Sequence, residues 1–421
     1  MQLPLFYLLL CISLSLADQP VSNVSTSGGY KNVAYFVNWG IYKRNFHPQN
    51  LTAPLLTHVH YAFANIRPNT SEVYLNDTWA DTDKHYPSDS SNGTGQNLYG
   101  CAKQLYLLKK HNRHLKTLLS IGGYSYSPSF ASAVSTPAGR ATFANTSVSL
   151  LANLGFDGLD IGWEFPANDA QATDMVSLVA ALRAALDEYS RANNLGYHFL
   201  LTVAGPAGPQ HYNTMHLQAM DVYLDYWNLM AYDYTGSFSN RTGHQANLNP
   251  SSNNSASTPF STSRAVGDYL AAGVPAHKLV LGIPVYGRAF TNTAGLGLPF
   301  SGVGPGTTEN GVWDYKDLPR PGSMEMHDDE AVGSYAFDHE KKTLVSYDTA
   351  GEVQRKLEWA SGRGLGGSMF WEASGDRVGN ESLVGTAARV WASKGGMDVG
   401  ENWLGYPVSK YGNLKAGMPG E

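Results

Sequence analysis

The chain has 421 residues, 43% of them hydrophobic and 15% charged. That is enough apolar material for one barrel-sized domain with embellishments or for two smaller domains. The net charge is -6 and no basic cluster stands out, which argues against nucleic acid as a partner. No paired-cysteine or HExxH spacing occurs, so neither a metal nor another cofactor is expected.

Residues 1–17, MQLPLFYLLLCISLSLA, are apolar and end in small residues. They read as a secretory signal peptide cut before Asp18. Cys11 leaves with it, and Cys101, in an apolar helical pattern, is then a lone buried thiol. Residues 18–31 form a linker. Asn-X-Ser/Thr sequons at Asn23, Asn50, Asn69, Asn76, Asn92, Asn145, Asn240, Asn253 and Asn380 support export, so the expected location is extracellular. No later apolar run is long enough to span a bilayer.

Short apolar runs then alternate with helical stretches. Strands are predicted at 33–39, 58–66, 116–122, 156–166, 198–204, 225–233, 278–285 and 367–370. Helices are predicted at 98–112, 136–154, 168–193, 263–272, 349–362 and 380–393. Thr136 caps the second of these, with Pro137 in its first turn. Strands that each lead to a helix predict parallel pairing and a (β/α)8 TIM barrel over 32–393. The polar stretch 67–96 is too long for an ordinary connection and is a candidate functional loop. Residues 289–349 are extra and read as a small α+β insertion between the seventh strand and its helix. Residues 394–421 are a polar, glycine-rich tail.

The stretch 156–166, FDGLDIGWEFP, carries the chemistry. Strand side chains alternate faces, so Asp160, Gly162 and Glu164 share one face and Leu159, Ile161 and Trp163 the other. Pro166 ends the strand. The competing reading is a solvated acidic turn; Asp157, Asp160 and Glu164 close together beside Trp163 favour a site. Barrels place their sites at the C-terminal ends of the strands. There the sequence puts Tyr35, Trp39, Ser120, Gly122, Gly123, Met230, Ala231, Tyr232, Asp233, Tyr286, Arg288 and Trp371. Acids, hydroxyls, one arginine and aromatic faces, without His or Cys, suit acid-catalysed cleavage of a neutral hydroxylated substrate, and carbohydrate is the natural class.

These motifs resemble those of family 18 glycoside hydrolases, secreted fungal chitinases among them. LLSIGG resembles the family's SxGG strand, FDGLDIGWEFP its DGxDxDWEYP signature, and NLMAYD, GIPVYGR and GGSMFWE its later strands. The resemblance implies a retaining mechanism without an enzyme nucleophile, acting on chitin or chitooligosaccharides, by a monomer that needs no membrane. It implies that Glu164 is proton donor and then base, that Tyr232 and Asp233 hold the substrate's acetamido group, and that Trp371 floors the site. Asp160 would be the buried outer acid. Phe165 stands where the motif has Tyr, and Arg288 is open between substrate contact and a structural ion pair. Gly162 stands where the motif has its middle Asp. That loss implies a void, one polar contact fewer and a slowed rate. A chitin-binding, lectin-like protein on the same barrel is the alternative. Tyr124 and Phe238 stand where relatives often have Trp.

Overall fold

The structure, a computed structural model, describes residues 28–87, 89 and 95–421. The expected signal peptide and most of the linker lie outside these residues, as do the sequons at Asn23 and Asn92. The strands, in chain order, are β1 (Lys31–Val37), β2 (His58–Ile66), β3 (Val73–Leu75), β4 (Lys116–Gly122), β5 (Gly158–Gly162), β6 (Leu200–Pro206), β7 (Tyr226–Met230) and β8 (Leu279–Pro284). They continue as β9 (Tyr286–Phe290), β10 (Val312–Asp314), β11 (Met324–Asp328), β12 (Gly333–Asp338), β13 (Thr343–Tyr347) and β14 (Gly367–Trp371). The parallel order β1-β14-β8-β7-β6-β5-β4-β2 closes through a β1–β2 pairing, and this is the (β/α)8 barrel expected. β3 adds antiparallel to β2 from within the 67–96 stretch.

Strand parity sorts the side chains. Val33, Tyr35, Val37, Ala62, Tyr226, Val280 and Met369 fill the barrel axis. The odd row of β5 points outward: Leu159, Ile161 and Trp163 are buried in the shell between strands and helices. Trp163 stacks on Phe130 at 5.2 Å. The helices of that shell start and stop by ordinary chemistry. The Thr136 hydroxyl accepts the Gly139 N–H at the head of Pro137–Leu154, and Gly155, in the left-handed region at φ 82°, ends it. The Asn168 side chain caps Asp169–Ala192 by accepting from Gln171 N–H.

Three expectations are corrected. The first strand stops at Val37, and Trp39 sits in the following 3-10 turn, Asn38–Ile41. The 156–166 strand is shorter, ending at Gly162, so Glu164 extends beyond the ladder. The insertion begins earlier than residue 289. Tyr286 and Arg288 belong to β9, which leads a five-stranded antiparallel sheet, β10-β9-β13-β12-β11, so no barrel strand carries them. The polar, glycine-rich tail, residues 394–421, packs against the barrel. Tyr406, Leu414 and Met418 are buried. The Trp403 N–H donates to Asp157 at 2.8 Å, and the Tyr406 hydroxyl donates to the Phe156 carbonyl at 2.9 Å.

Cys101 is free and buried. The sequon asparagines within the described residues, Asn50, Asn69, Asn76, Asn145, Asn240, Asn253 and Asn380, are all exposed.

Candidate active site

The C-terminal ends of the barrel strands surround a cleft of about 650 Å³. Tyr35, Ser120, Gly122, Gly162, Glu164, Met230, Tyr232 and Trp371 line it from the barrel. Trp39 lines it from its turn, and Arg288 and Glu309 from the insertion. A side pocket of about 220 Å³ continues from it, bounded by Arg44, Tyr286, Asp314 and Glu372.

Register explains the floor. Ser120, Asp160 and Thr202 lie directly opposite one another on β4, β5 and β6. All three point into the barrel, and Asp160 has no solvent exposure. Its Oδ2 accepts from the Tyr35 hydroxyl (2.8 Å) and the Ser120 hydroxyl (2.6 Å). Its Oδ1 accepts from Thr202 (2.7 Å) and the Asn228 amide (3.3 Å). Burial pushes this carboxyl upward, but the His60 imidazole and the Ser120 and Thr202 hydroxyls outweigh it and hold it down at about 2. Asp160 is therefore a fixed buried anion.

Glu164 lies above it with the opposite character. The Glu164 N–H donates to the Ser127 hydroxyl at 2.7 Å, which fixes the backbone as the chain leaves the strand. Burial first, then the negative charges of Asp233 and Asp160, push its carboxyl up to about 7, against one lowering contact from the Tyr124 backbone. A carboxyl that holds its proton near neutrality, facing an open cleft, can act as a general acid and afterwards as a base.

Asp233 follows β7 with φ 59°, in the left-handed region. It accepts from Tyr286 at 2.6 Å and Arg288 Nε at 2.8 Å, and its second oxygen pairs with the other arm of Arg288 at 2.8 Å. Arg288 thus lines the cleft while its fork is committed to Asp233. Tyr232 is different: it lines the cleft, and among the described residues its hydroxyl donates only weakly, to the Met369 sulfur at 3.9 Å. Trp371 meets Tyr35 edge-on at 5.2 Å and stacks on Phe63 at 5.7 Å, forming an aromatic floor.

The other expected residues divide. Gly123 and Ala231 support the cleft without lining it. A Cβ on Gly123, at φ 74°, would strike the Phe63 ring at 2.6 Å, and Ala231 is buried. Phe165 turns away and packs on His211, with ring centroids 4.4 Å apart. Gly162 lines the cleft, but it stands close against β4: an added Cβ would lie 2.9 Å from the Gly123 backbone nitrogen. That same N–H donates to the Gly162 carbonyl at 2.8 Å, continuing the regular β4–β5 pairing.

Sequence reasoning missed Phe63, Ser125, Tyr126, Ala204 and Glu309, all of which line the cleft. Phe63 has an explanation. Simple alternation puts it on the outer face with Tyr61, but the β2–β4 register shifts between Tyr61 and Ala64 and brings it to the mouth. Tyr124 and Phe238, noticed only as departures from a motif, are the exposed aromatic walls, at 82% and 66% exposure.

A profile of glycosyl hydrolases family 18 matches residues 31–376. "Endochitinase 1" of Metarhizium robertsii is 52% identical over 392 residues, covering 93% of this chain and 92% of the relative. Among solved structures, the catalytic domain of psychrophilic chitinase B from Arthrobacter TAD20 superposes with TM-score 0.81 at 30% identity, covering 89% of this chain and 98% of that one. A class V chitinase of Nicotiana tobaccum, in complex with NAG4, superposes with TM-score 0.73 at 27% identity, covering 86% of this chain and 99% of that one.

Proposed function

The chain belongs to glycosyl hydrolases family 18, and from that membership we propose that it is a chitinase. It cleaves β-1,4-linked N-acetylglucosamine polymers with retention of configuration, and the missing acid at Gly162 slows it. The observation that carries this reading is Glu164: a carboxyl raised to about 7 at the rim of an aromatic-walled cleft, above a permanently ionised Asp160.

Glu164 protonates the glycosidic oxygen as the bond to the anomeric carbon breaks. The carbonyl oxygen of the sugar's own 2-acetamido group attacks that carbon from the opposite face and forms an oxazolinium ion. This is the substrate-assisted route that dispenses with a second catalytic carboxylate. Glu164, now ionised, takes a proton from water, which opens the ring and restores the acid. The Tyr232 hydroxyl and Asp233 orient the acetamido group, with Asp233 held in place by Arg288 and Tyr286. Trp371 floors the distorted sugar. Asp160 supplies fixed negative charge beneath the developing cation. Tyr35, Ser120, Gly122 and Met230 shape the floor, and Trp39 extends the cleft along the polymer.

The protein acts outside the cell as a monomer. The N-terminal apolar stretch and the exposed sequon asparagines support secretion. Gly162 also favours a second reading, a chitin-binding protein on the same barrel with little turnover. One experiment separates the two: release of soluble oligosaccharides from colloidal chitin by wild type and Glu164→Gln, with binding measured in parallel. Release by wild type and none by Glu164→Gln supports the chitinase. Binding by both with equal background release overturns it in favour of the binding protein.

A further inference from the structure

His60 has no role in the mechanism above, yet it stands directly under the site. It lies on the inward row of β2 with no solvent exposure. Its Nδ1 faces Asp160 Oδ2 at 3.4 Å without the geometry of a formed hydrogen bond, and no polar atom among the described residues is its hydrogen-bond partner. Its Nε2 is 3.0 Å from the Tyr226 hydroxyl, whose one hydrogen-bond partner among the described residues is this nitrogen. The Tyr35 ring meets the imidazole edge-on at 4.9 Å from β1. The other ionisable groups lie one step further down the barrel: His58 on the same strand couples to His60, and around His58 are Lys116 on β4 and Lys31, whose Nζ lies 5.3 Å above the Tyr226 ring.

The hydrogen-bond count assigns the protons. A bare Nδ1 lone pair facing a carboxylate oxygen in a dry interior would be repelled, so the proton sits on Nδ1. The Tyr226 hydroxyl must then donate to Nε2, because otherwise its own proton would be buried without an acceptor. One arrangement opposes none of the three groups: Tyr226 donates to His60 Nε2, and the His60 Nδ1–H is presented to Asp160 at 3.4 Å. Gly162, the only residue of β5 between Asp160 and the cleft on that face, offers no side chain for this purpose.

We propose that His60 is a positioning residue of this site: its Nδ1–H, fixed in orientation by Tyr226, donates to Asp160 and keeps that carboxylate ionised and aimed at the cleft. The mechanical consequence rests on the reading of Glu164 as proton donor. Asp160 must stay anionic at the lowest working pH for its charge to support the cation that forms above it. A donor to an ionised carboxylate lowers its proton affinity, so losing the donor raises it. The acid limb of activity should therefore move to higher pH when His60 cannot donate.

The test has two arms. In the full protein labelled with ¹⁵N-histidine, the imidazole signal lost in His60→Gln should show a protonated Nδ1 and an unprotonated Nε2. The opposite tautomer would overturn the proposal, and this arm needs no turnover, so it stands even if the chitinase reading fails. In the second arm, kcat/KM on a chitin oligosaccharide is followed against pH. His60→Leu should displace the acid limb upward by on the order of half a pH unit or more, and His60→Gln, which retains an N–H donor, should restore it. Superimposed limbs for wild type and folded His60→Leu would refute the idea, because a purely structural loss lowers activity without moving its pH dependence.

Discussion

Asp157 and Glu164 sit at the two ends of β5 and are both carboxylates removed from bulk water, but the fold treats them in opposite ways. At the N-terminal end, Asp157 is fully buried and pairs with Lys109 at 2.8 Å. It also accepts the Thr117 N–H at 2.7 Å and the Trp403 N–H at 2.8 Å. The Lys109 ammonium is shared with the Tyr406 hydroxyl at 2.8 Å. At the C-terminal end, Glu164 receives one backbone contact and faces two other carboxylates. A charge whose partners are supplied by the fold contributes to one fixed structure. A carboxyl denied them keeps its proton, and that proton is what the proposed chemistry spends. One strand thus carries structure at its foot and reactivity at its head.

The largest expected effect is at the foot. Lys109→Met leaves Asp157 buried without its cation, and breaking such a pair costs about 3–5 kcal/mol. Urea unfolding should show that loss, together with loosening of the C-terminal segment, while the turnover of the remaining folded enzyme is unchanged. A loss below about 1 kcal/mol would mean that the foot does not depend on neutralisation, and the contrast between the two ends would fail.

Next comes the head, through the pH dependence of stability. The carboxyl of Glu164 rises from its ordinary 4.5 to about 7 on folding. Between those values the folded state holds a proton that the unfolded chain has released. Stability therefore falls as pH rises through this window, and it is highest below the unfolded value. With allowance for the open cleft, the loss is about 2–3 kcal/mol. Glu164→Gln has no proton to lose, so its unfolding free energy should decline less from pH 4.5 to 7 than that of wild type. Parallel curves would show that Glu164 is not held protonated by its surroundings.

What the sequence disclosed follows the same division. Period-two alternation located the inward acids of β5 and the outward Leu159, Ile161 and Trp163, because a strand buried on both faces must sort its side chains. Local caps at Thr136 and Asn168 fixed helix starts. Contacts made across long sequence distances were not legible. Arg288 reads as a barrel residue until β9 is seen leaving β8, and the grip of Trp403 and Tyr406 on Phe156 and Asp157 is invisible in a glycine-rich, polar segment. Phe63 was hidden by a register shift that alternation cannot anticipate. His58 and His60 were open to discovery, since they share the inward parity of Ala62, but a search confined to strand ends passed over them.

The smallest expected effect concerns Gly162, and the structure changes how it must be tested. Restoring an acid with Gly162→Asp should recover a polar contact in the transition state, worth about tenfold or more in kcat. The substitution also drives a Cβ to 2.9 Å from the Gly123 backbone nitrogen, which cannot swing aside as a flexible side chain could. Overpacking of that kind costs about 1–3 kcal/mol and displaces the strands that carry Asp160 and Glu164. Comparison with wild type alone would mix the gain with the strain. Gly162→Ala bears the same Cβ without the carboxylate, so the ratio of Asp to Ala isolates the chemistry and the ratio of Ala to wild type isolates the steric cost. The expected pattern is a destabilised, slower Ala variant and an Asp variant at least tenfold faster than Ala. If Asp is no faster than Ala, the missing acid is not what limits this site, and its rate is set by the charges that remain, Asp160 below Glu164 and Asp233 beside it.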